Sequence, residues 1–191
     1  MAVVKAPTAE EANKATAPHV TAIGELVCAW NNLQEELADL FSLVSKIPSV
    51  DIAYAIWHST PNDHAQRSMV REAAKVSLST DEQALEAVTW LLNQIDNSLR
   101  HKRNDAVHAP LILAVGSAGI TVIPRDCTNN PRAASLEGKD ILKELIWYRE
   151  TAEVLRHYCW RLNYVLSAKG VPIPEKPALP RLGERKRQSR G

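Results

Sequence analysis

Residues 23–44, IGELVCAWNNLQEELADLFSLV, decide the fold class. Apolar side chains recur at Ile23, Leu26, Val27, Trp30, Leu33, Leu37, Leu40, Phe41 and Val44, three and four residues apart. That spacing is the period of an α-helix with one buried stripe. The pattern predicts a long helix opening near His19 and ending at Pro48. Residues 1–17 are rich in Ala, Thr, Glu, Lys and Pro and read as disordered. They hold no apolar run of signal-peptide length.

Working outward from this helix, the same period returns. A short helix is predicted over 50–58. STPND at 59–63 reads as a turn that also caps a helix over 63–76. Ser79-Thr80-Asp81-Glu82 offers Ser or Thr as the next cap, with acids in the first turn. The helix that follows carries Leu85, Val88, Leu91, Leu92, Ile95 and Leu99 on one stripe. PLILAVGSAGITVIP, residues 110–124, changes texture: two β-rich runs flank Gly116-Ser117-Ala118-Gly119, the pattern of a hairpin. Residues 125–138 read as a polar loop. A last helix is expected over 139–168, with Ile141, Leu145, Tyr148, Ala152, Leu155, Tyr158, Cys159 and Leu162 inward, stopped by Gly170 and Pro172. The expected architecture is all-α: a four- to five-helix bundle over 18–170, with a short β-hairpin inserted before the last helix. Residues 171–191 read as a disordered, basic, Pro-rich tail.

Composition excludes several function classes. The 191 residues suit one domain with free ends. Net charge is +1, with charged residues at 24%, so no global basic field draws in nucleic acid and any anion site must be local. The longest apolar run, 111–123, is too short to span a bilayer. Cys28, Cys127 and Cys159 are widely spaced, with no CxxC, which suits reduced thiols in a cytoplasmic protein. No metal or cofactor pattern is present. His58 and His64 flank a turn without metal spacing, and GSAG at 116–119 lacks the lysine and following helix of a phosphate loop. Trp30, Trp90, Trp147 and Trp160 fall within helical patterns and read as core or interface anchors.

One stretch carries chemistry. LRHKRNDAVHAP, residues 99–110, crowds Arg100, His101, Lys102, Arg103, Asn104, Asp105 and His108 into nine positions. Basic residues suit the last turn of a helix before a proline, where they face exposed carbonyls. They also suit phosphate: arginine offers a planar fork of donors, and histidine moves a proton near neutral pH.

Arg103-Asn104-Asp105-Ala106-Val107-His108 resembles the R-x4-6-H signature of the HEPN superfamily, in which a polar residue follows the arginine. The layout is similar too: a long first helix, the motif late in the chain and a long closing helix, over roughly residues 19–168. The sequence departs from the family at Ala109-Pro110, where a glycine commonly follows the histidine. The resemblance implies a metal-independent ribonuclease of toxin or defence type, with no cofactor, acting as a homodimer whose Arg/His pairs converge at the interface. It implies catalytic roles for Arg103 (phosphate), His108 (base or acid) and Asn104 (orientation). Arg100, His101 and Lys102 would form a substrate-binding rim for RNA, and an antitoxin would be a partner. Positions 103 and 108 lie about 140° apart on a straight helix. The pair therefore meets one phosphate only if the helix bends or ends near Asn104, or if a second subunit supplies the other half. The alternative reading is a non-catalytic helical module for dimerisation or partner binding, in which the basic stretch merely closes a helix.

Overall fold

The computed structural model describes residues 6–99, 104–105, 107–116, 119–125, 131–168 and 170–181. The fold is mainly α. In chain order the elements are α1 (Ala9–Ser45), α2 (Val50–Ser59), α3 (Asp63–Ser77), α4 (Glu82–Gln94), a π-helical turn (Ile95–Leu99), β1 (Leu111–Gly116), β2 (Gly119–Pro124), α5 (Pro131–Leu136) and α6 (Ile141–Ser167). No helix among the described residues is long and apolar enough to cross a membrane. The chain divides into two compact units, each fed by part of α1 and part of α6.

The larger unit comprises Cys28–Leu99 and Thr151–Leu179. Its core is most of the stripe read from sequence: Trp30, Leu33, Leu37, Leu40, Phe41 and Val44 of α1 are buried, whereas Val27, expected on the same stripe, is 36% exposed. Val88, Leu91, Leu92, Ile95 and Leu99 join them, with Leu155, Tyr158, Cys159 and Leu162 of α6. Phe41 meets Trp57 of α2 with ring centroids 5.9 Å apart, and Trp90 meets Tyr158 edge-on at 4.9 Å. Short polar side chains set the helix starts by accepting from free amides. Ser49 accepts from the Ile52 N–H, and Asn62 from the Ala65 N–H at 2.8 Å. α4 is capped by Asp81, which accepts from Ala84 N–H at 3.0 Å. The cap is therefore the acid, one or two residues beyond the Ser79 and Thr80 expected from sequence.

The smaller unit comprises Met1–Val27, Arg100–Glu150 and Pro180–Gly191. The hairpin is antiparallel, with Leu113 opposite Val122 and Gly116 opposite Gly119. The strand face carrying Leu111, Leu113 and Val122 lines a cavity of about 120 Å³ with Thr16, His19 and Ile23 of α1. α5 lies beside β2, and its Ala133 and Leu136 are buried.

Three expectations are corrected. α1 starts at Ala9, not near His19. Thr8 and Glu11 form a capping box: the Glu11 carboxylate accepts from the Thr8 N–H at 2.8 Å, and the Thr8 hydroxyl accepts from the Glu11 N–H at 3.3 Å. The helix then passes through Pro18. Within 125–138, expected as a loop, residues 131–136 form α5, with Pro131 as first helical residue, where its missing N–H costs nothing. Residues 171–181, expected to open a free tail, have no regular structure yet make tertiary bonds. Lys176 pairs with Glu86 in the larger unit. In the smaller, the Trp147 indole N–H donates to the Pro180 carbonyl at 2.7 Å.

Candidate functional site

The candidate site is built on a helical turn in the smaller unit. Residues 104, 105, 107 and 108 are helical, and the Asp105 carbonyl accepts from the Ala109 N–H at 2.9 Å. Asn104 and His108, four residues apart, share one helix face. Asn104 is half-buried and His108 exposed. Ala109 behind them is buried, and Pro110 ends the turn.

Of the sequence-predicted residues, Asn104 and His108 are therefore brought together. Arg103, and the expected rim of Arg100, His101 and Lys102, lie outside the described residues.

The structure adds an acidic neighbourhood that pattern reading overlooked. Tyr148 and Glu144, one turn apart on α6, are 1% and 5% exposed, and the Tyr148 hydroxyl donates to the Glu144 carboxylate. Tyr148 is held far above the ordinary phenol range, first by burial, then by its bond to Glu144 and by the charges of Glu144 and Asp105. Asp105 of the motif thus reaches the field of this pair. The phenol stays protonated and serves as a fixed donor, not as an acid or base. The signal was present in sequence as Glu-x-x-x-Tyr inside an apolar stripe, but i,i+4 polar pairs are usually solvated.

Two further polar pairs frame this unit. Arg149 pairs with Glu25 of α1. Asp140, at the start of α6, is held below its ordinary range, first by its bond from the Lys143 side chain. Among the described residues, no group of three or more His, Cys, Asp or Glu side chains is placed to hold a metal ion. Chemically, the turn offers one accessible imidazole beside one amide, enough to shuttle a proton and orient a polar substrate.

No family model, no curated protein and no solved structure matches this chain.

Proposed function

We propose that the chain is a HEPN-like, metal-independent endoribonuclease of toxin or defence type, acting as a cytoplasmic homodimer on RNA. In this reading the helices form a four- to five-helix bundle with the hairpin inserted before its last member. His108 removes the proton from a ribose 2′-OH, whose oxygen attacks the adjacent phosphorus. The 5′-oxygen leaves with a proton from water and His108 later returns its own proton to solvent, so the products are a 2′,3′-cyclic phosphate and a 5′-OH. Arg103 holds the phosphate and offsets its growing charge. Asn104 orients substrate, Arg100, His101 and Lys102 form the rim, and an antitoxin is the natural partner. The observation that supports this reading is the exposure of His108 one turn from Asn104.

The test is RNA cleavage by wild type and His108→Ala with EDTA throughout. Loss of a proton-transfer group predicts a fall of about 10²–10⁴-fold in rate. Equal cleavage in both proteins, or none by wild type across varied RNAs, would sink the proposal.

A second reading has its own support. Ile52 and Ile56, one turn apart on α2, are 55% and 39% exposed. Apolar side chains so placed suit a non-catalytic module that docks a partner helix. That reading expects His108→Ala to leave every activity intact.

A further inference from the structure

The larger unit carries a groove of about 310 Å³ between α1 and α6, lined by none of the residues of the candidate site. Glu36, Asp39 and Ser42 of α1 line it, facing Trp160, Asn163 and Tyr164 of α6. Three of its donor side chains are spent inside the protein. The Ser42 hydroxyl donates to the Asp39 carbonyl at 2.8 Å, and that of Ser167 to the Tyr164 carbonyl at 2.8 Å. The Asn163 amide NH₂ donates to the Glu36 carbonyl at 2.9 Å. Beside the Trp160 indole N–H and the Tyr164 hydroxyl at its rim, what remains is two carboxylates and the Asn163 Oδ1.

That oxygen is the telling atom. Asn163 is only 8% exposed, and its Oδ1 has no hydrogen-bond partner among the described residues. A buried acceptor left unpaired calls for a missing donor. The carboxylates make the same demand. Glu36 has Arg156 at 3.5 Å and a bond from the Asn163 side chain, but Asp39 has only the Tyr54 hydroxyl and no cation among the described residues. Both acids are pushed above their ordinary range, first by burial and then by a neighbouring acid.

Trp160 and Tyr164 are 53% and 60% exposed, one helical turn apart beside these acids. Trp160 stacks on His157 with ring centroids 5.6 Å apart, and the ring surface that it and Tyr164 still leave in water beside two carboxylates suits a flat cation that stacks and donates together. Guanidinium does both: its planar face packs on aromatic rings, and its fork of N–H groups fits carboxylates. We propose that this groove is a binding site for a guanidinium group, held by Asp39, Glu36 and Asn163 and covered by Trp160 and Tyr164. The chemistry is shared by a free small guanidine and by an arginine side chain of another protein.

Calorimetric titration of the full chain tests this with two probes: agmatine, and a capped Gly-Arg-Gly tripeptide. The same tripeptide with uncharged citrulline in place of arginine is the control. Saturable binding of at least one guanidinium probe is expected, about tenfold or more tighter than the control. Asp39→Asn and Trp160→Ala should each weaken it about tenfold. Trp160 is exposed, so that variant keeps its fold, which a circular-dichroism melt verifies. Agmatine binding as tightly as the peptide assigns a free guanidine; a clear preference for the peptide assigns an arginine side chain. No saturation below roughly 10 mM, equal binding of the citrulline control, or binding indifferent to Trp160→Ala would overturn the proposal.

Discussion

Arg67 shows how much a single side chain can carry. It is 1% exposed, and its Nε donates to Asp96 at 2.9 Å. Its two terminal nitrogens have no partner among the described residues. Removing the acid strands a buried charge, so Asp96→Ala should cost about 3 kcal/mol by urea unfolding. Replacing the cation by an apolar side chain of similar length should cost less, because Asp96 is 24% exposed and keeps Arg71 at 3.3 Å, so Arg67→Met is the informative contrast. Glu36 and Asp39 behave differently. Burial lifts their folded carboxyls above the ordinary 4.5 and 3.8. The folded state then holds these protons to higher pH than the unfolded chain, so the stability they cost is absent in acid. It accrues as pH rises through 3.8–4.5 and stops growing above the raised folded values. Asp39→Asn should therefore gain on wild type between roughly pH 4 and pH 7, read from denaturation at each pH. At this scale the sequence was legible only in part. Asn104 and His108 can be paired from their spacing, whereas the burial of Arg67 and Glu144 depends on elements far away in the chain.

Elements were the most legible level, because period and caps are local. The stripes of α1, α4 and α6 mark buried faces, and Asn62 ends the turn where α3 begins. Asn62→Ala and Asp81→Ala should each lower stability by about 1 kcal/mol, since each leaves a helix amide without its acceptor. Pro18 is the element-scale anomaly. A proline inside a helix lacks an N–H and crowds the preceding turn. Pro18→Ala should strengthen the first turns of α1, seen as slower hydrogen exchange at residues 12–17. What escaped reading did so for physical reasons. The Thr8–Glu11 box lies ahead of the apolar period that marks the helix. α5 spans six residues, too short for any period to declare itself. The π-helical turn at Ile95–Leu99 keeps Ile95 and Leu99 buried, so the pattern of apolar residues gives no hint of it.

For the whole molecule, charge sets the expectations. With a net charge of +1, binding of RNA cannot rest on a general positive field. If Arg100, Lys102 and Arg103 are the phosphate contacts, the logarithm of the affinity should fall against that of salt with a slope of about −2 for single strands. A markedly steeper slope would assign phosphate contacts to the basic residues of 181–190 as well. The mainly helical class with one hairpin follows from periodicity alone. The division into two units does not, because the apolar stripes of α1 and α6 run unbroken through both.

The two described cysteines hold opposite positions, and this gives the protein a built-in clock. Cys28 is exposed, while Cys159 is buried, its thiol pushed well up by desolvation and its S–H directed at the Glu36 carbonyl. A thiol reagent will label Cys28 immediately. It will reach Cys159 only during those moments when the larger unit opens. The lag between the two labels, resolved by mass spectrometry, times the breathing of that unit without any engineered probe.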